Sequence, residues 1–136
     1  MSLTPHGPGF AFLDAFEVTQ AERSGCGRKW LDPQLAFFAD HFPGQPLMPG
    51  VLLIECGAQA AGALWASTLA QDAPTHFILA QVVQFKIQHP VRPGETLETE
   101  AVLENIWGTL AQFGVTLRVG ATEVARGRLV LSQPAD

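Results

Sequence analysis

Residues 49–70 read PGVLLIECGAQAAGALWASTLA, and Glu55, Gln59, Ser67 and Thr68 carry the only polar side chains among them. The length of the stretch and its Ala/Leu content predict a helix, with Pro49 suited to the first turn. Apolar residues on every side call for burial rather than for one amphipathic stripe. A membrane span is the rival reading for about 20 apolar residues. It is set aside because Glu55 and Gln59 lie inside the stretch, Ala and Gly supply much of the apolar count, and basic flanks are missing. What remains is a core helix wrapped by other elements.

Outward from the helix the pattern turns to alternation, the mark of antiparallel strands with one wet face. Leu97, Thr99, Ala101 and Leu103 alternate with Glu98, Glu100 and Glu104; Val115, Leu117 and Val119 with Thr116 and Arg118; Ala125, Gly127, Leu129 and Leu131 with Arg126, Arg128 and Val130. Pro93-Gly94 separates strands expected near 76–88 and 96–107, and Gly108 and Gly120 mark later turns. Upstream, 10–20 and 23–31 are two further strand candidates, the second interrupted by Gly25 and Gly27. Trp30, Trp65 and Trp107 are expected in the core. A sheet can bury so apolar a helix only by curling around it, and one flank still stays uncovered, which suggests a partner chain. The layout is α+β and is that of the hot-dog fold: about six antiparallel strands around one long central helix, normally assembled as dimers.

Composition narrows the function. The 136 residues are 47% hydrophobic and 15% charged, which excludes disorder and predicts a single domain over 1–136. Eight Lys+Arg against thirteen Asp+Glu give a net charge of −5. Nucleic acid is therefore not an expected partner, since neutralising phosphates needs a basic face. Cys26 and Cys56 stand in dissimilar contexts, so neither a disulfide framework nor a zinc site is expected, and His6, His76 and His89 show no metal-ligand spacing. Residues 1–10 contain no basic stretch followed by an apolar one, and the expected location is the cytoplasm.

The chemistry is expected where the helix opens. Residues 43–50 hold three prolines and two glycines just after His41, a density suited to a rigid loop over the helix N-terminus. The first N–H groups of a helix lack internal acceptors, and its dipole adds partial positive charge there. Gly50, without a Cβ, lets a substrate oxygen approach its own N–H and that of Val51, forming an oxyanion hole. Glu55 stands about 9 Å further along the axis from Pro49. Gln59, at i+4, can hydrogen-bond the carboxyl group. Desolvation favours the neutral form of a carboxyl in such surroundings, so Glu55 is the candidate acid and a neutral histidine the candidate base.

The segment DHFPGQPLMPGVLLIECGAQAAG, 40–62, resembles the signature of FabZ-type 3-hydroxyacyl-[acyl-carrier-protein] dehydratases, GHFPGxPxMPGVLxxEAxAQ, including the fourteen-residue spacing of His41 and Glu55. FKIQHPVRPGETL, 85–97, is similar to the family's strand-turn-strand segment ending in VxPGDxL. The resemblance implies a catalytic pair, His41 and Glu55, contributed by different subunits of a homodimer, alone or in a trimer of dimers. It implies that Gly50 and Val51 polarise the thioester carbonyl, that Gln59 orients the carboxyl group, and that the Leu47 carbonyl fixes the imidazole tautomer. No cofactor and no metal is implied. The implied partner is acyl carrier protein, or a coenzyme A thioester. Carriers of this kind are acidic, so docking on a chain of charge −5 needs a local basic patch, for which Lys86 and Arg92 are the candidates. Two departures stand out: Asp40 replaces the glycine before the histidine, and the chain has no tyrosine to gate a tunnel. A thioesterase on the same fold, or a non-catalytic acyl-binding subunit, are the alternative readings.

Overall fold

The computed structural model describes residues 11–40 (Asp40 by its backbone only), 44–69 and 77–133. Eight elements follow one another: β1 (Ala15–Gln20), β2 (Ser24–Trp30), α1 (Ala36–Asp40), α2 (Gly50–Ser67), β3 (Ile78–Ile87), β4 (Thr96–Trp107), β5 (Leu110–Val119) and β6 (Thr122–Ser132). The six strands form one antiparallel sheet in the order β1-β2-β4-β5-β6-β3, and α2 packs on its inner face, chiefly against β4. This is the expected curled sheet around a long helix. The short α1 has no counterpart in the sequence reading.

Period two decides which side chains meet the helix. Leu97, Ala101, Phe113, Val115, Leu117 and Leu129 are buried on the inner face against Leu53, Cys56, Ala60, Leu64 and Trp65 of α2. A fully buried Leu contributes about 1.5–3 kcal/mol, so this layer dominates stability. α2 is long and apolar enough to cross a membrane, but half of it lies buried inside the sheet. Its remaining flank is only partly covered: Val51 is 72% exposed, and Leu52, Ile54, Ala58 and Ala63 pack against the core but are only partly buried.

Gly25 and Gly27 do not break β2. Both face inward, and a Cβ on either would fall 2.4 Å from the Phe16 ring or 2.3 Å from a Leu13 methyl group. Large side chains from the preceding segment fill the places the glycines leave empty. The tryptophans are corrected in part. Trp65 is core at 2% exposure, whereas Trp30 and Trp107 stand at 51% and 47%. For Trp107 the cause is a β-bulge. The β4 register steps from Leu103↔Phe113 to Asn105↔Gln112, and the extra residue, Glu104, reverses which face every later side chain occupies.

Candidate active site

α2 begins at Gly50, with Pro49 in the capping position at φ −59° and ψ 138° and, among the described residues, no side chain bonded to the helix end. The N–H of Leu52 donates back to the Pro49 carbonyl at 2.9 Å, and among the described residues no acceptor meets the N–H of Gly50 or Val51. A Cβ on Gly50 would fall 2.6 Å from Cδ1 of Ile87. The last residue of β3 therefore occupies the space that any side chain at position 50 would need.

Backbone hydrogen bonds hold the loop before the helix. The N–H of Met48 donates to the Val91 carbonyl at 2.8 Å; beyond it, Gly94 N–H donates to the Leu31 carbonyl at 2.7 Å and Leu31 N–H to the Glu95 carbonyl at 2.9 Å. The two segments singled out in the sequence, around 40–62 and 85–97, thus meet through the Met48–Val91 bond. Leu47 is half-buried beside it. His41 and Phe42 lie outside the described residues, as do His6 and His76.

Glu55 is half-buried, one turn before the buried Gln59. Gln59 Nε2 donates to Glu55 Oε2 at 2.9 Å, while its Oε1 accepts from the buried N–H of Phe12 at 2.7 Å. The backbone donor settles which end of the amide is which: with Oε1 committed to Phe12, the NH2 group must face the carboxyl. Phe12 is in turn fixed by its surroundings. Asp14 donates its N–H to the Arg28 carbonyl at 2.7 Å, and its carboxylate accepts from Trp30 N–H at 2.8 Å and from Lys29 Nζ at 3.2 Å. Nothing in the sequence marks the Phe12 N–H, because a backbone donor leaves no residue-type signature. Cys56, next to Glu55, is fully buried; burial pushes its thiol up, and the adjoining Glu55 adds to the effect. It is a core residue and no nucleophile.

An oriented carboxyl group and two uncapped helix amides on one element can together move a proton and stabilise a developing oxyanion. Among the described residues no group of three or more His, Cys, Asp or Glu side chains could hold a metal ion. Lys86 and Arg92 are both exposed. Lys86 faces outward on β3 in register with Arg126, whereas Arg92 sits in the turn before β4, its N–H donating to Glu95 Oε1 at 2.6 Å.

The model of the ApeI-like family, described as ApeI dehydratase, matches residues 17–128. The chain belongs to the ApeI-like dehydratase family. Its relatives carry the same reaction class. A 3-hydroxyacyl-[acyl-carrier-protein] dehydratase FabZ of Herpetosiphon aurantiacus is 30% identical over 132 residues, 97% of this chain and 93% of that protein. The FabZ of Chlamydia trachomatis serovar D is 35% identical over 130 residues, 94% and 85% of the two chains. In fold, the chain is similar to the dehydratase heterocomplex ApeI:P from Xenorhabdus doucetiae, at a TM-score of 0.78 and 18% identity, with 99% of this chain and 90% of that one covered. As a member of the ApeI-like family the protein is an enzyme of the hydro-lyase class.

Proposed function

We propose that the protein removes water from 3-hydroxyacyl thioesters, borne by acyl carrier protein, to give trans-2-enoyl thioesters. The observation that carries this reading is the Phe12–Gln59–Glu55 chain of hydrogen bonds at 2.7 and 2.9 Å beside the uncapped start of α2. It holds a carboxyl group in one orientation within the same helix as two amide donors that meet no acceptor among the described residues.

In the proposed reaction His41 takes the proton from C2. Negative charge moves to the thioester oxygen, where the Gly50 and Val51 N–H groups stabilise it. The C2–C3 double bond forms as the C3–O bond breaks, and Glu55 protonates the departing hydroxyl, which leaves as water. Glu55 ends ionised and His41 protonated, and transfer of that proton restores the pair. The Leu47 carbonyl accepts from the far imidazole N–H and so presents the basic nitrogen to substrate. Each site takes its histidine from one subunit and its carboxyl group from the other. Two features support a homodimer: β3 is an edge strand whose Ile78, Leu79, Val82 and Ile87 are exposed, and the remaining flank of α2 is apolar and only partly covered, with Val51 72% exposed. Unpaired, apolar strand edges seldom stay exposed in isolation.

The test is direct. Purified protein should interconvert 3-hydroxyacyl and trans-2-enoyl thioesters, followed by enoyl absorbance, and His41→Ala and Glu55→Gln should each abolish the change. Release of free thiol in place of an absorbance change identifies a thioesterase instead, and full activity of either variant removes the proposed pair.

A further inference from the structure

The inner face of β2 carries a charge. Gly25, Gly27 and Lys29 pair with Ala101, Thr99 and Leu97 of β4, all three of them buried on the side of the sheet that meets α2. Paired residues of an antiparallel ladder share a face, so Lys29 points toward the helix rather than to solvent. Its side chain is only 16% exposed. Its charge is felt at the buried Cys56 thiol on α2: burial raises that thiol most and Glu55 next, and Lys29 works against both.

A buried ammonium needs a partner, and Asp14 supplies it. The carboxylate of Asp14 accepts from Lys29 Nζ at 3.2 Å through Oδ1 and from the Trp30 N–H at 2.8 Å through Oδ2. The Asp14 N–H donates to the Arg28 carbonyl at 2.7 Å, so three successive residues of β2 hold Asp14. Two residues before it, Phe12 donates its N–H to Gln59 Oε1 at 2.7 Å, and Gln59 Nε2 donates to Glu55 Oε2 at 2.9 Å. Between Phe12 and Asp14, a Leu13 methyl group lies 2.3 Å from where a Cβ on Gly27 would stand. One connected path therefore runs from Lys29 through Asp14, Phe12 and Gln59 to Glu55.

We propose that Lys29 and Asp14 are positioning residues for the dehydration: together they fix the place of the Phe12 N–H against Gln59, and through Gln59 the direction in which Glu55 presents its proton. The inference rests on the dehydration argued above and goes beyond it, because it assigns part of the acid's orientation to β2, outside the helix that bears the acid. Stability alone does not call for the ammonium. Asp14 is half exposed and keeps two main-chain bonds without it. Ion pairs that reach the surface contribute little, and an apolar side chain of similar volume in place of a buried pair is often neutral or stabilising. The apolar contacts of Phe12 and Leu13 are non-directional, whereas the hydrogen bonds of the path are directional. Loosening of this segment thus disturbs the carboxyl group before it disturbs the fold.

Lys29→Met keeps most of the length of the side chain and removes its charge. Asp14→Asn keeps an oxygen for the Trp30 N–H and removes the attraction to Lys29. Turnover of a 3-hydroxyacyl group on acyl carrier protein, with urea denaturation of each variant, tests the path. In Lys29→Met, kcat should fall about tenfold while KM stays within about twofold of the parent, and the urea midpoint should be unchanged or higher. Asp14→Asn should show the same fall in kcat, and it carries the test if Lys29→Met does not fold. In a Gln59→Glu background, Lys29→Met should lower kcat by less than about twofold further, since the path is already cut. Parental kcat in both variants overturns the proposal. So does a fall in Lys29→Met that comes with a lower urea midpoint, a change confined to KM, or a further loss beside Gln59→Glu as large as in the parent. If the parent turns over no 3-hydroxyacyl thioester, the dehydratase reading fails separately. Hydrogen exchange at the Phe12 N–H then decides the path: exchange about tenfold faster in a folded variant upholds it, and an unchanged rate removes it.

Discussion

Gln59 shows how one side chain links stability to chemistry. It is 5% exposed, and its two ends meet a backbone donor and the Glu55 carboxyl group. Gln59→Leu leaves the buried Phe12 N–H without its acceptor, a loss of about 1–3 kcal/mol, to be measured by urea denaturation. Gln59→Glu keeps an oxygen facing Phe12 but replaces the amide donor with a second carboxyl. We expect it to retain most of the stability while kcat falls by about tenfold or more, since the orientation of Glu55 is lost. Near-parental kcat in Gln59→Glu removes the orienting role. The i+4 spacing of Glu55 and Gln59 was legible in the sequence, because helix geometry makes neighbours of such residues. The Phe12 end was not, since its donor is main chain and its partner lies 47 residues away.

Cys56 belongs to the same scale. Its thiol is pushed up from an ordinary 9.0, first by burial. The protonated form is thus favoured in the folded protein, while the unfolded chain ionises at its ordinary value. The contribution is constant below about pH 9 and is lost as pH rises above it, since only the unfolded state then gives up the proton. Stability measured by urea between pH 8 and 10.5 should fall with a slope that Cys56→Ala reduces. An identical slope in the variant shows that other groups cause the loss. A thiol reagent should label Cys56 only after unfolding.

At the scale of elements, glycines separate what alternation reveals from what it conceals. The inward row of β6 was readable as Ala125, Gly127, Leu129 and Leu131. The reason for Gly127 was not: a Cβ there would fall 2.7 Å from the Phe85 Cα and 3.0 Å from its Cβ, where β3 bulges between Val83 and Lys86. The neighbouring atom is backbone and cannot swing aside. Gly127→Ala should cost about 1–3 kcal/mol through overpacking. At Gly114 the close atom is the far end of Glu104, at 3.0 Å, so Gly114→Ala should cost much less. Chemical denaturation of the pair checks the order, and a reversed order removes the argument from β3. The Glu104 bulge made the same kind of difference, placing Trp107 outside when strict alternation put it inside. Bulges are set by packing between strands, and a single sequence carries little trace of them.

At the scale of the whole molecule, the helix decided the fold from its composition alone, because so apolar a segment admits few surroundings. It also left a flank and a sheet edge unaccounted for, and these are where the second subunit is expected. Val82, 40% exposed on the inner side of edge strand β3, is the place to test that. Val82→Lys should yield a folded monomer by sedimentation and circular dichroism, because a lysine there opposes edge pairing. That monomer should be inactive. The stronger test mixes two dead proteins. If His41 and Glu55 of a site come from different subunits, a heterodimer of His41→Ala and Glu55→Gln has one site with both groups altered and one with both intact. Random subunit exchange makes half the dimers mixed, and each has one working site of two, so activity should return to about a quarter of the parent value. No recovery after verified exchange means that each site draws its acid and base from a single chain, and the reading of the partly covered flank of α2 as part of a shared site then fails.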